Sequence, residues 1–365
     1  MIAFIVVVQT ILLLAHGVVY ATAAAFLNPQ TPAEGLSLAV GFGILSLTFV
    51  PASALAFRNP GSWAKGFYRA SAVWLGLLNY LFFGAGLCWA GEGINRFLGS
   101  PLTRSSIGAA GLGLSLLAGL AALLNAQRVR VRRLPITIPG LPETWKGRRI
   151  AVVSHVHLGH VRGARFLKRL VGLIAGEQPD LVVVPGDLYD GTAVDPVSLA
   201  APWSALAAPQ GILYVTGNHE EFRPPARLLA PLADSGVRVL NNEKILLDGL
   251  QVVGIPDGDH RDPRRLTEIL RGMRLDPARA TLLLAHTPVN LRIAEQAGIS
   301  LQISGHTHGG QFLPWTWVVS RIYGAFARGL HALGRMQVLT TTGAGTWGPP
   351  MRLGSNPEIV LLRLA

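Results

Sequence analysis

A single cysteine, Cys88, is all the thiol chemistry this 365-residue chain carries, which excludes a disulfide framework and a cysteine-based metal site. Carboxylates are nearly missing from its first third: only Glu34 and Glu92 precede residue 127, and only five of the 32 Lys and Arg residues do. Against so little charge, four apolar stretches stand out, at 2–26, 36–57, 71–90 and 107–126, each meeting the length of about 20 residues that crosses a bilayer as a helix. Four in succession argue against the buried helices of a soluble core. The start also lacks the basic n-region of a cleaved signal peptide, although Tyr20-Ala21-Thr22-Ala23 resembles a cleavage site. No internal repeat or low-complexity tract is present.

The formal net charge of +12 invites a nucleic-acid partner. No aromatic–basic platform for single strands accompanies it. The densest cluster, Arg128, Arg130, Arg132 and Arg133, directly follows the fourth apolar stretch, where anionic headgroups attract basic residues by about 1 kcal/mol each. A membrane surface, not a nucleic acid, is the expected partner. The second connection between stretches holds Arg58, Lys65 and Arg69, the third only Arg96 and Arg104. With four spans, the second connection and everything after the fourth share a side, and the positive-inside rule makes that side cytoplasmic. The expectation is a multi-pass protein of the cell inner membrane, with a four-helix transmembrane domain at 1–127 and a basic juxtamembrane linker and edge strand at 128–148. A cytoplasmic α/β domain occupies 149–365. His16, the one ionisable side chain of the first stretch, reads as a neutral imidazole packed between helices rather than a functional group.

From Arg149 the pattern alternates. Apolar runs at 150–153, 181–184, 212–216, 281–284 and 301–303 read as buried strands. Segments at 164–175, 196–206, 226–233, 264–273 and 289–297 have helical spacing. Asp248-Gly249 between two short strands marks a hairpin. A mixed α/β domain with two sheets face to face and helices outside is implied.

Each of the five strand runs ends in a polar block. These read Ser154-His155-Val156-His157-Leu158-Gly159-His160, Gly186-Asp187, Gly217-Asn218-His219-Glu220, Ala285-His286-Thr287 and Gly305-His306-Thr307-His308-Gly309, and they hold seven of the ten histidines. Parallel strands deliver the residues after their last position to one edge of the sheet, where open α/β folds place ligands. Imidazoles, one carboxylate and one amide meeting there suit Zn, Fe or Mn rather than Ca. The two oxygens of Asp187 can bridge two ions, an arrangement that activates water and clamps the oxygens of a phosphoryl displacement.

The order HxH, GD, GNHE, H, GHTHGG resembles the calcineurin-like metallophosphoesterase signature DxH, GD, GNHD or GNHE, H, GHxH. The endings Thr341-Thr342-Gly343-Ala344-Gly345 and Pro349-Pro350-Met351-Arg352-Leu353-Gly354 look like those of its membrane-associated bacterial branch. The resemblance implies an α-helical membrane domain joined to a four-layer α/β/β/α metallophosphoesterase sandwich. It implies a hydrolase of phosphoric esters using a hydroxide held by two divalent ions (Mn, Fe or Zn). His157, Asp187 and His308 would hold one metal; Asn218, His286 and His306 would hold a second, bridged by Asp187. His219 would be catalytic, stabilising the transition state or protonating the leaving oxygen.

One position departs from that signature, because His155 stands where the family has Asp. An imidazole there still ligates, but it removes a negative charge, and Asp187 becomes the only carboxylate ligand. Weaker retention of hard ions and stronger competition from Zn or Fe are expected. In the alternative, His155 points away and the first site is partial, leaving a catalytically impaired metal-binding sensor or scaffold. His160 and Arg352 are candidate substrate contacts, with a solvated loop residue and a structural salt bridge as their respective alternatives. Glu220 reads as a carboxylate supporting the ligands, His260 as a surface residue, and His331 as part of a helix-like run at 322–333. A phosphodiester or pyrophosphate is the expected substrate. A lipid-linked one is a candidate, since a similar relative cleaves an acylated UDP-sugar. The aromatic-rich segment 312–326 reads either as an apolar lip for acyl chains or as a packed loop of the second sheet.

Overall fold

The computed structural model describes residues 2–222 and 226–365. It divides into two compact units, Met1–Leu124 with Gly348–Met351, and Asn125–Trp347 with Arg352–Ala365.

The first unit is helical: α1 (Ile2–Leu27), α2 (Pro32–Ser46), α3 (Phe49–Ala56), α4 (Ser62–Phe97) and α5 (Arg104–Asn125). Thr31 starts α2 with a reciprocal cap, its side chain accepting from Glu34 N–H while the Glu34 carboxylate accepts from the Thr31 N–H. The second apolar stretch is interrupted at Leu47-Thr48, so it forms two helices rather than one. Four segments, Ile2–Leu27, Pro32–Ala56, Ser62–Phe97 and Arg104–Asn125, are long and apolar enough to cross a membrane. His16 is fully paired between helices. Trp74 Nε1–H donates to its Nε2 (2.8 Å), which leaves the proton on Nδ1 to donate to Leu12 O (2.7 Å).

Among the described residues the second unit holds twelve strands, β1 (Arg130–Ile136), β2 (Arg149–Val152), β3 (Leu181–Pro185), β4 (Ile212–Val215), β5 (Val237–Val239), β6 (Glu243–Leu247), β7 (Leu250–Ile255), β8 (Thr281–Ala285), β9 (Leu301–Ser304), β10 (Gly329–Leu333), β11 (Met336–Thr340) and β12 (Glu358–Leu364). Its α-helices are α6 (Ala164–Gly176), α7 (Pro196–Ala200), α8 (Ala226–Asp234), α9 (Asp257–Arg261), α10 (Pro263–Gly272), α11 (Leu291–Gln296) and α12 (Trp315–Tyr323). The strands form two six-stranded sheets, ordered β1-β12-β2-β3-β4-β5 and β10-β11-β9-β8-β7-β6.

Side-chain alternation explains the layering. Along β3, Leu181 and Val183 face the other sheet, and with Ile150, Val152, Leu213, Leu282, Leu284, Leu301 and Ile303 they form the core between sheets. Val182 and Val184 face the opposite way, against Leu167, Leu170 and Ile174 of α6. On the far side, Val253 and Leu283 pack against Leu266 and Leu270 of α10. Helix, sheet, sheet, helix is the result, the four-layer metallophosphoesterase sandwich. Each fully buried aliphatic side chain contributes roughly 1.5–3 kcal/mol, so both faces of the central strands hold the site's scaffold rigid.

Arg130, Arg132 and Arg133 of the basic cluster lie within β1, an edge strand that pairs in parallel with β12. Charge suits that edge, which would otherwise invite pairing with another chain. Arg133 is paired with Glu177. The segment after β1 is anchored by Trp145, fully buried, whose Nε1–H donates to Leu247 O at 2.8 Å.

Candidate metal centre

Strands β2, β3 and β4 run parallel in the first sheet, and β8, β9 and β11 run parallel in the second. Their C-terminal ends bring all five blocks, and the turn 341–345, to one place. The backbone there is unusual. His155, His157, Asp187, His306 and His308 all have φ between +50° and +63°, a left-handed conformation that ordinary residues rarely hold. Such strain persists where the surroundings over-determine it, and it concentrates at working sites. Gly186, with φ +80°, permits a close approach: a Cβ there would lie 2.5 Å from His286 Nδ1 and 2.8 Å from Gly217 Cα. Any side chain at 186 would push the β3 and β8 loops apart.

Asp187 is the hub. Its carboxylate belongs to two triads among the described residues, His155–Asp187–His286 and His157–Asp187–His219, within each of which the potential ligand atoms lie within 4.8 Å of one another. His286 Nε2 is 3.1 Å from Asp187 Oδ2 and 3.1 Å from Asn218 Oδ1. His306 Nδ1 lies 3.2 Å from Asn218 Oδ1 and 3.4 Å from His286 Nε2. On the other side of Asp187, His157 Nε2 faces His308 Nε2 at 3.0 Å. Nitrogen and oxygen donors held about 2.0–2.2 Å from one divalent ion end up about 3.0–3.5 Å apart. His286 has that spacing to Asp187, Asn218 and His306, as do His306 and Asn218 and the pair His157 and His308. Imidazole nitrogens, an amide oxygen and a carboxylate gathered at that spacing are a donor set that a divalent cation fits.

Protonation is set by the same arrangement. Burial pushes His155, His157 and His308 well below the ordinary imidazole value, leaving neutral rings. Burial works against the charge of Asp187 too, yet His286, His157 and His219 hold its carboxyl below the ordinary range. His286 is the exception among the imidazoles: burial lowers it, but the Asp187 charge and hydrogen bond raise it to about 9. Glu220, fully buried, is pushed up to about 7 by burial and by Asp187. It accepts from the N–H groups of Asp187 (3.1 Å), Tyr189 (2.8 Å) and Gly217 (2.8 Å), tying the β3 and β4 loops together.

Stability and metal uptake should both depend on pH. The folded His286 value of about 9 exceeds its unfolded value of about 6.5. The stability this ion pair gives the metal-free fold is therefore complete below about 6.5 and lost as pH rises through about 9. Metal binding has the opposite sign, because a ligating imidazole must shed that proton. Near neutral pH, uptake should release about one proton from His286, measured by calorimetry in buffers of different ionisation heat. Heats independent of the buffer would contradict it.

The His155 ring lies among His157, His286 and His308, with centroids 5.7, 4.9 and 4.3 Å away, so it does not point away from the cluster. Its Nε2 accepts from the His306 N–H at 2.5 Å and sits 3.9 Å from Asp187 Oδ2. His219 donates from Nδ1 to Asp190 O (3.0 Å), and its backbone N–H donates to Asp187 Oδ1. His160 is fully buried and bonded through Nδ1 to Thr192 Oγ1 (3.1 Å), so it is not a solvated loop residue.

Arg352 departs from the place of a phosphate contact. It is fully buried behind His308, with Nη2 3.2 Å from His308 Nδ1 and its other N–H groups spent on the carbonyls of His308, Thr342, Gly343 and Gly345 and on Ser355 Oγ. Backbone carbonyls, not a carboxylate, receive it. It turns His308 so that Nε2 faces His157. His260 is likewise buried rather than on the surface, because α9 tucks it inward.

Three further neighbours carry no signal in the sequence. Asp190 accepts from the Thr192 N–H (2.8 Å) and hydroxyl (2.5 Å), and burial pushes it up to about 6. Phe222 and Trp347 flank His219, with ring centroids 4.7 and 5.9 Å away. None lies in a metal-ligand pattern; only their position in the fold singles them out.

Residues 148–310 match the family model for calcineurin-like phosphoesterases. An uncharacterized metallophosphoesterase of Aquifex aeolicus is 31% identical over 260 residues, covering 69% of this chain and 97% of that protein. One of Campylobacter jejuni is 29% identical over 249 residues, covering 67% of this chain; the chain spans only 66% of that relative's length. A Bos taurus transmembrane protein with metallophosphoesterase domain is 31% identical over 267 residues, covering 67% of this chain and 59% of that protein.

Proposed function

The chain belongs to the calcineurin-like metallophosphoesterases, and from that premise we propose that it is a membrane-anchored, metal-dependent phosphoester hydrolase. The observation that carries the reading is the sharing of Asp187 between two groups of ligand-type atoms. His157 and His308, with His155 beside them, would hold one cation together with Asp187. Asn218, His286 and His306 would hold the other.

When bound, such a pair supplies Lewis-acid activation of water and neutralisation of phosphoryl charge. Everything else comes from the chain. Asp187 stays ionised, Glu220 fixes the backbone of the Asp187 and Asn218 loops, and Arg352 orients His308. His219 has Nδ1 committed to Asp190 O, so the proton it exchanges with a leaving oxygen is carried on Nε2. The substrate is a phosphodiester or pyrophosphate, and four membrane-crossing helices favour one that is lipid-linked. The excess of Arg and Lys after α5 favours a cytoplasmic catalytic domain in a multi-pass inner-membrane protein.

The test uses the purified full chain loaded with Mn, Fe or Zn and bis-p-nitrophenyl phosphate as substrate. Turnover that a chelator abolishes and added metal restores is expected, with Zn or Fe outperforming Mg because Asp187 is the single carboxylate in the set. Stoichiometric metal without turnover on any phosphoester would favour the scaffold reading instead.

A further inference from the structure

Large apolar side chains at the protein surface are informative when they cluster. Among the described residues of the second unit, eight are exposed, and six of them lie on the segments around the metal centre: Phe222, Leu313, Trp315, Trp317, Ile322 and Trp347. Phe222 and Trp347 flank His219. The other four belong to α12 and its approach. That helix reaches the centre directly, since the Tyr323 ring stands 6.3 Å from the His306 ring and Thr316 packs on Gly310.

α12 is nine residues long, WTWVVSRIY, and none of them is buried. Trp317 is 61% exposed and Ile322 67%, although a packed loop would hide both. Arg321 stands over the Trp317 ring at 4.9 Å. Tryptophans, a β-branched apolar residue and an arginine on a short exposed helix are the makings of an element that lies in a lipid headgroup boundary. Charge agrees. No Asp or Glu occurs between Glu295 and Glu358, while Arg321, Arg328 and Arg335 fall in that interval, so an anionic surface meets no repulsion from it. Four residues join the end of α5 to the start of β1.

We propose that α12, with Trp317 and Ile322 at its exposed face, docks into an anionic lipid surface beside the mouth of the metal centre and so admits phosphoesters presented by that surface. The docking rests on the reading of α1–α5 as membrane-crossing; the admission of substrate rests also on the hydrolase reading. Burying the Trp317 and Ile322 side chains in the boundary desolvates apolar area, and Arg321 adds attraction to the headgroups.

The experiment uses the full chain, with Cys88→Ala and Trp317→Cys, labelled by bimane at 317 and reconstituted into phosphatidylcholine vesicles with and without phosphatidylglycerol. A nitroxide lipid carrying its label near the headgroups is the quencher. Quenching at 317 several-fold above that of a Leu246→Cys control, and stronger with phosphatidylglycerol, is expected. Equal quenching at 317 and 246 overturns the proposal. In parallel, Trp317→Ser with Ile322→Ser should keep turnover of a soluble diester within about twofold while losing about tenfold on a phosphodiester embedded in the same vesicles. Equal effects on both substrates would overturn the substrate-admission part. Absence of soluble-diester turnover in the native chain would bear on the hydrolase reading alone, and the quenching result would stand.

Discussion

Asp187→Asn is expected to lower turnover by roughly 1,000-fold or more, about 4 kcal/mol of transition-state stabilisation, and to reduce bound metal below two ions per chain. Asn keeps the shape but offers one neutral oxygen in place of two that share a negative charge. Among the described residues no other carboxylate joins the candidate ligand groups to compensate, and Glu220 is spent on three backbone N–H groups. The fold itself should survive near neutral pH. Without Asp187 the His286 imidazole loses the charge that raises it, sheds its proton and becomes another neutral buried ring, so no uncompensated ion is left behind. Elemental analysis and steady-state kinetics on the same preparation check both halves. Full metal content with normal turnover would remove Asp187 from its place as the shared ligand.

His219→Ala has the second-largest expected effect, and its size should depend on the leaving group. A positioned proton donor contributes about 100- to 10,000-fold, so a diester with an alkoxide leaving group should lose that much. A p-nitrophenolate leaving group needs no proton and should lose far less. Metal content decides between roles: the structure places a ligand-type atom of His219 within 4.8 Å of those of His157 and Asp187, but its Nδ1 is committed to Asp190 O. Two ions retained in the variant, with the loss graded by leaving group, identify a proton donor. A fall in metal with a uniform loss identifies a ligand.

Much of the site can be read from the chain because buried parallel strands are short, continuous apolar runs and the chemistry starts at the residue after each run. Val152, Pro185, Val215, Ala285 and Ser304 end strands, and the next few residues carry the ligand-type groups. What escapes such reading depends on where the backbone bends. The run across 322–333 has helical spacing throughout, yet Gly324 (φ +58°) and Gly329 (φ +89°) break it, which ends α12 at Tyr323 and puts His331 in β10. His260 is flanked by charged residues in sequence, but a five-residue helix needs only one face outward. Arg352 is remote from every ligand block in sequence, and only the approach of the turn 341–345 to His308 surrounds its guanidinium with buried acceptors. The left-handed conformation of the candidate ligands is invisible in their identities, since His and Asp hold it only when packing forces them to.

The most direct measurement is the position of bound metal, by crystallography of the Mn- or Zn-loaded protein with anomalous scattering. Two peaks about 4 Å apart, both in contact with the Asp187 carboxylate, are the predicted result. One peak alone, or two that Asp187 does not touch, would contradict a shared-carboxylate centre and the phosphoester chemistry built on it.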